Sequence, residues 1–260
     1  MKTLITAHSG ADHTEENSIE YLRYAFATAV DAAEVDVRMH AGELVLGHDA
    51  VANETNESEG TGTVTHVTLR QAFTMLKQAQ GNMKMNCDLK EEELEKPVYE
   101  LALETGVVDR ILYTGTVSVE RMRAEGVLGK VEVYLNIEEA VPALRPMWEA
   151  AQRATRGGDT SSALRAPVPQ VTSYYKQACE VCVDAGIRVL NVPKEIVDET
   201  FCEILKEYGL MASVWTVDDV HEAQRLARLP QVLGITTRDV VGVSHLCNPS
   251  YSNRSCSVNT

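Results

Sequence analysis

Ala33-Glu34-Val35-Asp36-Val37-Arg38 reads as a strand, and within it Glu34 and Asp36 stand one residue apart. The two-residue period of a strand puts both carboxylates on one face. If that face lines a closed interior, two acids are buried together. Like charges held that closely repel, so the arrangement persists most easily around a cation. A later strand repeats the theme with Asp88 and Lys90, again one residue apart. Three inward carboxylates from neighbouring strands make an oxygen-rich site for one divalent metal ion, Mg²⁺ or Ca²⁺.

Outward from these strands, short apolar runs alternate with longer segments of helical period, the pattern of βα units around a parallel sheet. Strands are predicted over residues 4–8, 33–38, 83–89, 110–113, 131–137, 188–192, 211–216 and 232–235. The clearest helices, by apolar spacing and capping residues, are 18–31, 68–79, 198–208 and 218–229. Together they predict an α/β fold, a single-domain (β/α)₈ TIM barrel over residues 1–243, followed by a polar C-terminal tail, 244–260. No strand is followed by a G-x-G-x-x-G or P-loop pattern, which argues against an open nucleotide-binding sheet. An extra short strand is expected within Gly42-Glu43-Leu44-Val45-Leu46-Gly47-His48-Asp49, with a surface loop over 53–63. A helical piece, 143–153, and the connection 156–162 leave the fifth strand on the face where barrels keep their sites, as a lid or as an insertion without a role.

The 260 residues, 44% of them hydrophobic, suit one large domain. A net charge of -14 disfavours nucleic acid or an anionic membrane as partner, and an anionic substrate would need a local cation. Met1-Lys2-Thr3-Leu4-Ile5 runs into a strand without a secretory apolar region. No apolar run approaches the ~20 residues of a membrane span. The expectation is a cytoplasmic protein with reduced thiols and no stable membrane anchor. Cys179 and Cys182 form a C-x-x-C inside a helical pattern, without a second pair at zinc spacing, and read as half-buried helix thiols. Nothing in the sequence fixes the oligomeric state.

His8 ends the first strand and His48 the extra one. Two histidines at rims facing one acidic cluster are candidates for general acid and base near pH 7. Trp215 is read equally as a pocket wall or a core indole, and Asn136 and Asn191 as strand-end hydrogen-bonding groups.

The stretches His8-Ser9-Gly10, Glu16-Asn17-Ser18, Glu34-Val35-Asp36-Val37, Gly47-His48-Asp49 and Asp88-Leu89-Lys90, in this order, resemble the glycerophosphodiester phosphodiesterase family. Val214-Trp215-Thr216-Val217 and Ile235-Thr236-Thr237-Arg238 extend the resemblance to the last strands. The resemblance implies hydrolysis of a small-molecule glycerophosphodiester to glycerol phosphate and an alcohol. It implies metal ligands at Glu34, Asp36 and Asp88, catalytic histidines at His8 and His48, a phosphate-facing Lys90 and a supporting Glu16. Two departures stand out. Ser9 replaces the family's usual arginine, removing a bidentate phosphate clamp, and Asp88 replaces a glutamate. Arg38, which shares the parity of Glu34 and Asp36, is the candidate to supply the missing cation. These departures keep two alternatives open: a catalytically impaired barrel that binds a phosphorylated metabolite or lipid headgroup, and a lysophospholipase D-like specificity with an apolar groove near residues 156–169.

Overall fold

The computed structural model of the protein describes residues 2–28, 30–49, 66–146 and 168–247. Nine strands form: β1 (Leu4–Ala7), β2 (Ala32–His40), β3 (Glu43–Leu46), β4 (Lys84–Leu89), β5 (Ile111–Gly115), β6 (Glu132–Asn136), β7 (Val189–Pro193), β8 (Met211–Trp215) and β9 (Val232–Thr237). Eight of them pair in parallel in the order β1-β9-β8-β7-β6-β5-β4-β2, and β1 pairs again with β2 to close the barrel. All eight match strands expected from the sequence. β3 is the expected extra strand, and it runs antiparallel on β2 with Val37 opposite Leu46.

The apolar runs are explained by burial on the outer faces of the strands. Val35, Val37, Met85, Cys87, Leu190 and Val214 belong to the large core between barrel and helices. Inside the barrel, Leu112, Tyr134 and Val189 form a smaller apolar floor. Helix starts follow their capping residues: Ser18 accepts from the Tyr21 amide, Thr68 forms a capping box with Gln71, and Asp198 accepts from the Phe201 amide. The helix expected over 218–229 is shorter, Val220–Ala227, because Asp219 is its N-cap and Asp218 turns towards Arg238 instead.

Cys179 and Cys182 are free, buried thiols in the helix Val168–Ala185, more deeply placed than the half-buried thiols expected. The last described helix, Val240–Cys247, runs past residue 243. The expected loop 53–63, the connection 156–162 and the tail beyond 247 lie outside the described residues, as does most of the helical piece 143–153. No helix among the described residues is long and apolar enough to cross a membrane.

Candidate active site

The C-terminal ends of the parallel strands surround a cleft of about 620 Å³ whose lining includes His8, Glu34, His48, Asp88, Lys90 and Trp215. Glu34 and Asp36 point inward from β2, as their parity requires, and Asp36 stands in register with Asp88 of β4. The three carboxylates meet: one oxygen from each lies within 4.8 Å of the others. All three side chains are buried, Asp36 almost completely, at 1% exposure.

Burial pushes the Glu34 carboxyl up to about 7, with Asp88 and Asp36 adding to the effect and His8 and Lys90 opposing it. Asp36 behaves differently. Burial acts to raise it, but Lys90 and the Asn17 carboxamide hold it below the ordinary carboxylate value. Lys90 Nζ lies 2.8 Å from Asp36 Oδ1 and 2.5 Å from Asp88 Oδ2. Burial acts against the charged ammonium, yet the Asp88 and Asp36 carboxylates keep its pKa above the ordinary lysine value. One ammonium against three converging acids leaves the group short of positive charge. Hard oxygen donors in a buried, negatively charged cluster are the donor set that a divalent cation such as Mg²⁺ or Ca²⁺ takes, so these residues fit a metal.

Two neighbours hold the carboxylates in place. Thr114 of β5 donates to Asp88 Oδ1 at 2.7 Å. Asn17, in the loop after β1, donates to Asp36 Oδ2 at 2.7 Å and accepts from the Asp36 amide at 3.0 Å. Asn17 has a left-handed backbone (φ 56°), a conformation asparagine tolerates better than most residues. Its own amide donates to Ser9 Oγ at 2.7 Å. Ser9 is fully buried and is not among the residues lining the cleft. Where the sequence comparison suggested only a lost phosphate clamp, the structure shows a hydrogen-bond acceptor that fixes the Asn17 loop.

The histidines flank the cluster. His8 is half-buried, and its Nδ1 lies 2.9 Å from the Ser9 carbonyl. A carbonyl only accepts, so Nδ1 carries the hydrogen and Nε2 is the free nitrogen of the neutral ring. Nε2 lies 3.2 Å from Arg238 Nη2. His48 reaches the rim because the chain reverses after β2 through Ala41 and Gly42, both at positive φ, as a tight hairpin demands. The reversal returns Gly47 to the Asp36 carbonyl, to which its amide donates at 3.0 Å. The His48 ring is exposed, with Nδ1 3.0 Å from Asp49 Oδ1.

Arg38 and Glu16, two expected site residues, are not among those lining the cleft. The Arg38 guanidinium donates twice to the His48 carbonyl, at 3.0 and 2.8 Å, and pairs with Glu91. It braces the hairpin that carries His48. Glu16 is exposed, with its Cγ against Gly10: a Cβ placed there would lie 2.6 Å from it. Trp215 stands half-buried at the cleft, on the wall side of the two readings.

No family model matches the sequence, and no curated protein matches it. Solved structures do. A glycerophosphodiester phosphodiesterase from Parabacteroides distasonis superposes with a TM-score of 0.67 at 17% identity, over 96% of this chain and 98% of that one. The corresponding enzyme of Thermotoga maritima gives 0.61 at 15% identity, over 92% and 96%. A phosphodiesterase of Oleispira antarctica, solved with the product sn-glycerol-3-phosphate, gives 0.64 at 16% identity, over 94% and 96%. This chain shares their fold. Two of these three neighbours are named glycerophosphodiester phosphodiesterases, the family that the sequence motifs resemble.

Four cleft or support residues escape the sequence reading as functional groups: Asn17, Thr114, Glu138 and Arg238. Thr114 was accessible, since its register with Asp88 follows from strand parity. Glu138 follows β6, is 6% exposed, and accepts from Asn136 Nδ2 at 3.1 Å while its Oε2 is buried without a hydrogen-bond partner. Arg238 comes immediately after β9, on the rim where barrel enzymes place functional groups.

Proposed function

We propose that the protein is a metal-dependent phosphodiesterase that hydrolyses a small-molecule glycerophosphodiester to glycerol phosphate and an alcohol. The observation that carries this reading is the convergence of Glu34, Asp36 and Asp88 within 4.8 Å of one another, beside Lys90 and between two histidines on one rim. The fold it shares with named phosphodiesterases supports the reading.

Glu34, Asp36 and Asp88 would hold the divalent cation. When bound, such an ion supplies Lewis-acid neutralisation of charge on a phosphoryl oxygen. The chain's own groups do the rest. Lys90 keeps an ammonium beside the same oxygens and favours the growing negative charge of the transition state. His8, with Nδ1–H committed to the Ser9 carbonyl, presents a basic Nε2 that can take the proton of the attacking water or substrate hydroxyl. His48, on the same rim and open to solvent, can return a proton to the departing alkoxide. Trp215 offers an apolar wall to the alcohol portion.

The test is direct. His8→Ala and His48→Ala should each lower the rate on a glycerophosphodiester in the presence of Mg²⁺ or Ca²⁺ by about 10²–10⁴-fold with the far-ultraviolet circular dichroism unchanged. Near-parental rates in both variants refute the assignment.

A further inference from the structure

The phosphodiesterase reading requires a cation for the non-bridging oxygens of an anionic substrate. Lys90 is held between two carboxylates, Arg145 pairs with Glu139 at 2.7 Å, and Arg38 binds the His48 carbonyl and Glu91. Lys194 also lines the cleft, but as a point ammonium it has no planar fork. Arg238 differs. It lines the cleft, and among the described residues no carboxylate forms an ion pair with its guanidinium. Its side-chain contact is with His8 Nε2 at 3.2 Å.

This contact is weak compensation for a guanidinium, because a neutral ring nitrogen carries no charge and takes one of five donors. The main chain nevertheless holds Arg238 tightly. Its amide donates to Asp218 Oδ1 at 2.7 Å, and its carbonyl accepts from the Asp12 amide at 2.8 Å. Thr237 Oγ1 lies 3.3 Å from the same Asp218 oxygen and accepts from the Asp239 amide at 3.0 Å. Tyr24, in the helix Ile19–Ala27, in turn donates to Asp12 Oδ2 and anchors the loop after β1. A fixed backbone beneath an exposed guanidinium without a counter-ion, touching the nitrogen proposed as base, is a built receptor for an anion.

We infer that Arg238 is the phosphoryl-binding arginine of this cleft, taking two non-bridging oxygens of a phosphomonoester or phosphodiester in its planar fork beside His8. The inference rests on the phosphodiesterase reading for its substrate, though the anion site itself is independent of turnover. Bidentate pairing suits a tetrahedral oxyanion better than a point ammonium does. In the anion's presence Nη2 moves from sharing His8 Nε2 to holding a phosphoryl oxygen next to it, leaving Nε2 free to accept a proton. Arg238 therefore stands in the role left empty at Ser9, from the opposite end of the chain.

The experiment uses the full chain with inorganic phosphate as probe, in chelator, so that no metal contributes to binding, and then a glycerophosphodiester with Mg²⁺ or Ca²⁺. Arg238→Gln should weaken phosphate binding by calorimetry about 10- to 100-fold, the range for one charge-assisted bidentate contact. It should raise KM and lower kcat together. Arg238→Lys, which keeps the charge but loses the fork, should fall between, and millimolar guanidinium should partly rescue Arg238→Gln. An active parental protein with phosphate affinity and kcat/KM unchanged in both variants overturns the inference, as does a parental protein that binds no phosphate. If the parent binds phosphate through Arg238 and hydrolyses nothing with either metal, the anion site stands and the hydrolase reading falls alone.

Discussion

Asn17 offers the sharpest test of how the acidic centre is held. In Asn17→Gly the left-handed backbone is retained without strain, because glycine adopts φ near 56° freely. What disappears is the carboxamide that donates to Asp36 Oδ2 at 2.7 Å and accepts from the Asp36 amide at 3.0 Å. A hydrogen bond to a charged group contributes about 1.5–3 kcal/mol, and a buried amide left without an acceptor costs about 1–3 kcal/mol. With Asp36 only 1% exposed, water has no ready route to either group. The expected loss is therefore roughly 3–5 kcal/mol, a large part of the ~5–15 kcal/mol that stabilises an ordinary domain. Urea unfolding at neutral pH, followed by fluorescence and circular dichroism, measures it. Asn17→Ala should lose about 1 kcal/mol more, since alanine resists the left-handed region. Asn17→Gly within 1 kcal/mol of the parent would refute the claim that this side chain pins Asp36.

Glu34 makes the metal-free protein sensitive to pH: its folded value of about 7 against an ordinary 4.5 favours the protonated native state. The stabilisation is fully present below the unfolded value, declines as pH rises and is gone above the folded value, a loss of roughly 3 kcal/mol. Urea midpoints in chelator should show this fall, Glu34→Gln should flatten it, and identical slopes in the two proteins would sink the idea. Gly115→Ala forces φ +82° on alanine and drives a Cβ onto the Leu89 carbonyl and to 2.8 Å from Asp88 Oδ1. It should cost about 3–5 kcal/mol from backbone and overpacking together, and a melting temperature within a degree or two of the parent would contradict the close approach.

The barrel was legible because its parallel strands are buried on the outer face and therefore carry unbroken apolar positions such as Val35, Val37, Cys87 and Leu89. The acidic cluster was legible for the same geometric reason, since strand parity alone places Glu34, Asp36 and Asp88 inside. Parity alone does not give the partner of Arg38. Past Val37, β2 continues to His40 as one arm of the β3 hairpin, and there the guanidinium is taken up by the His48 carbonyl. The support that Ser9 gives Asn17, and the hold of Asn17 on Asp36, are not legible in the sequence because they depend on a loop with positive φ at Gly10, Asp12, His13 and Asn17, which no periodicity encodes. Arg238 follows a strand end, and nothing local in the sequence marks it as a functional group, because its neighbour His8 is 230 residues away.

That separation has a consequence for biosynthesis. The carboxylates ride on β2 and β4, adjacent strands made early, whereas the His8 corner exists only where β1 meets β9, with the His8 amide on the Thr237 carbonyl at 2.8 Å and the Asp12 amide on that of Arg238. A chain still emerging from the ribosome can gather its acidic cluster long before its final strand appears. The histidine corner must wait for the ring to shut. Any chemistry needing both is withheld from the nascent chain, which gathers its carboxylates and His48 first and seats His8 last.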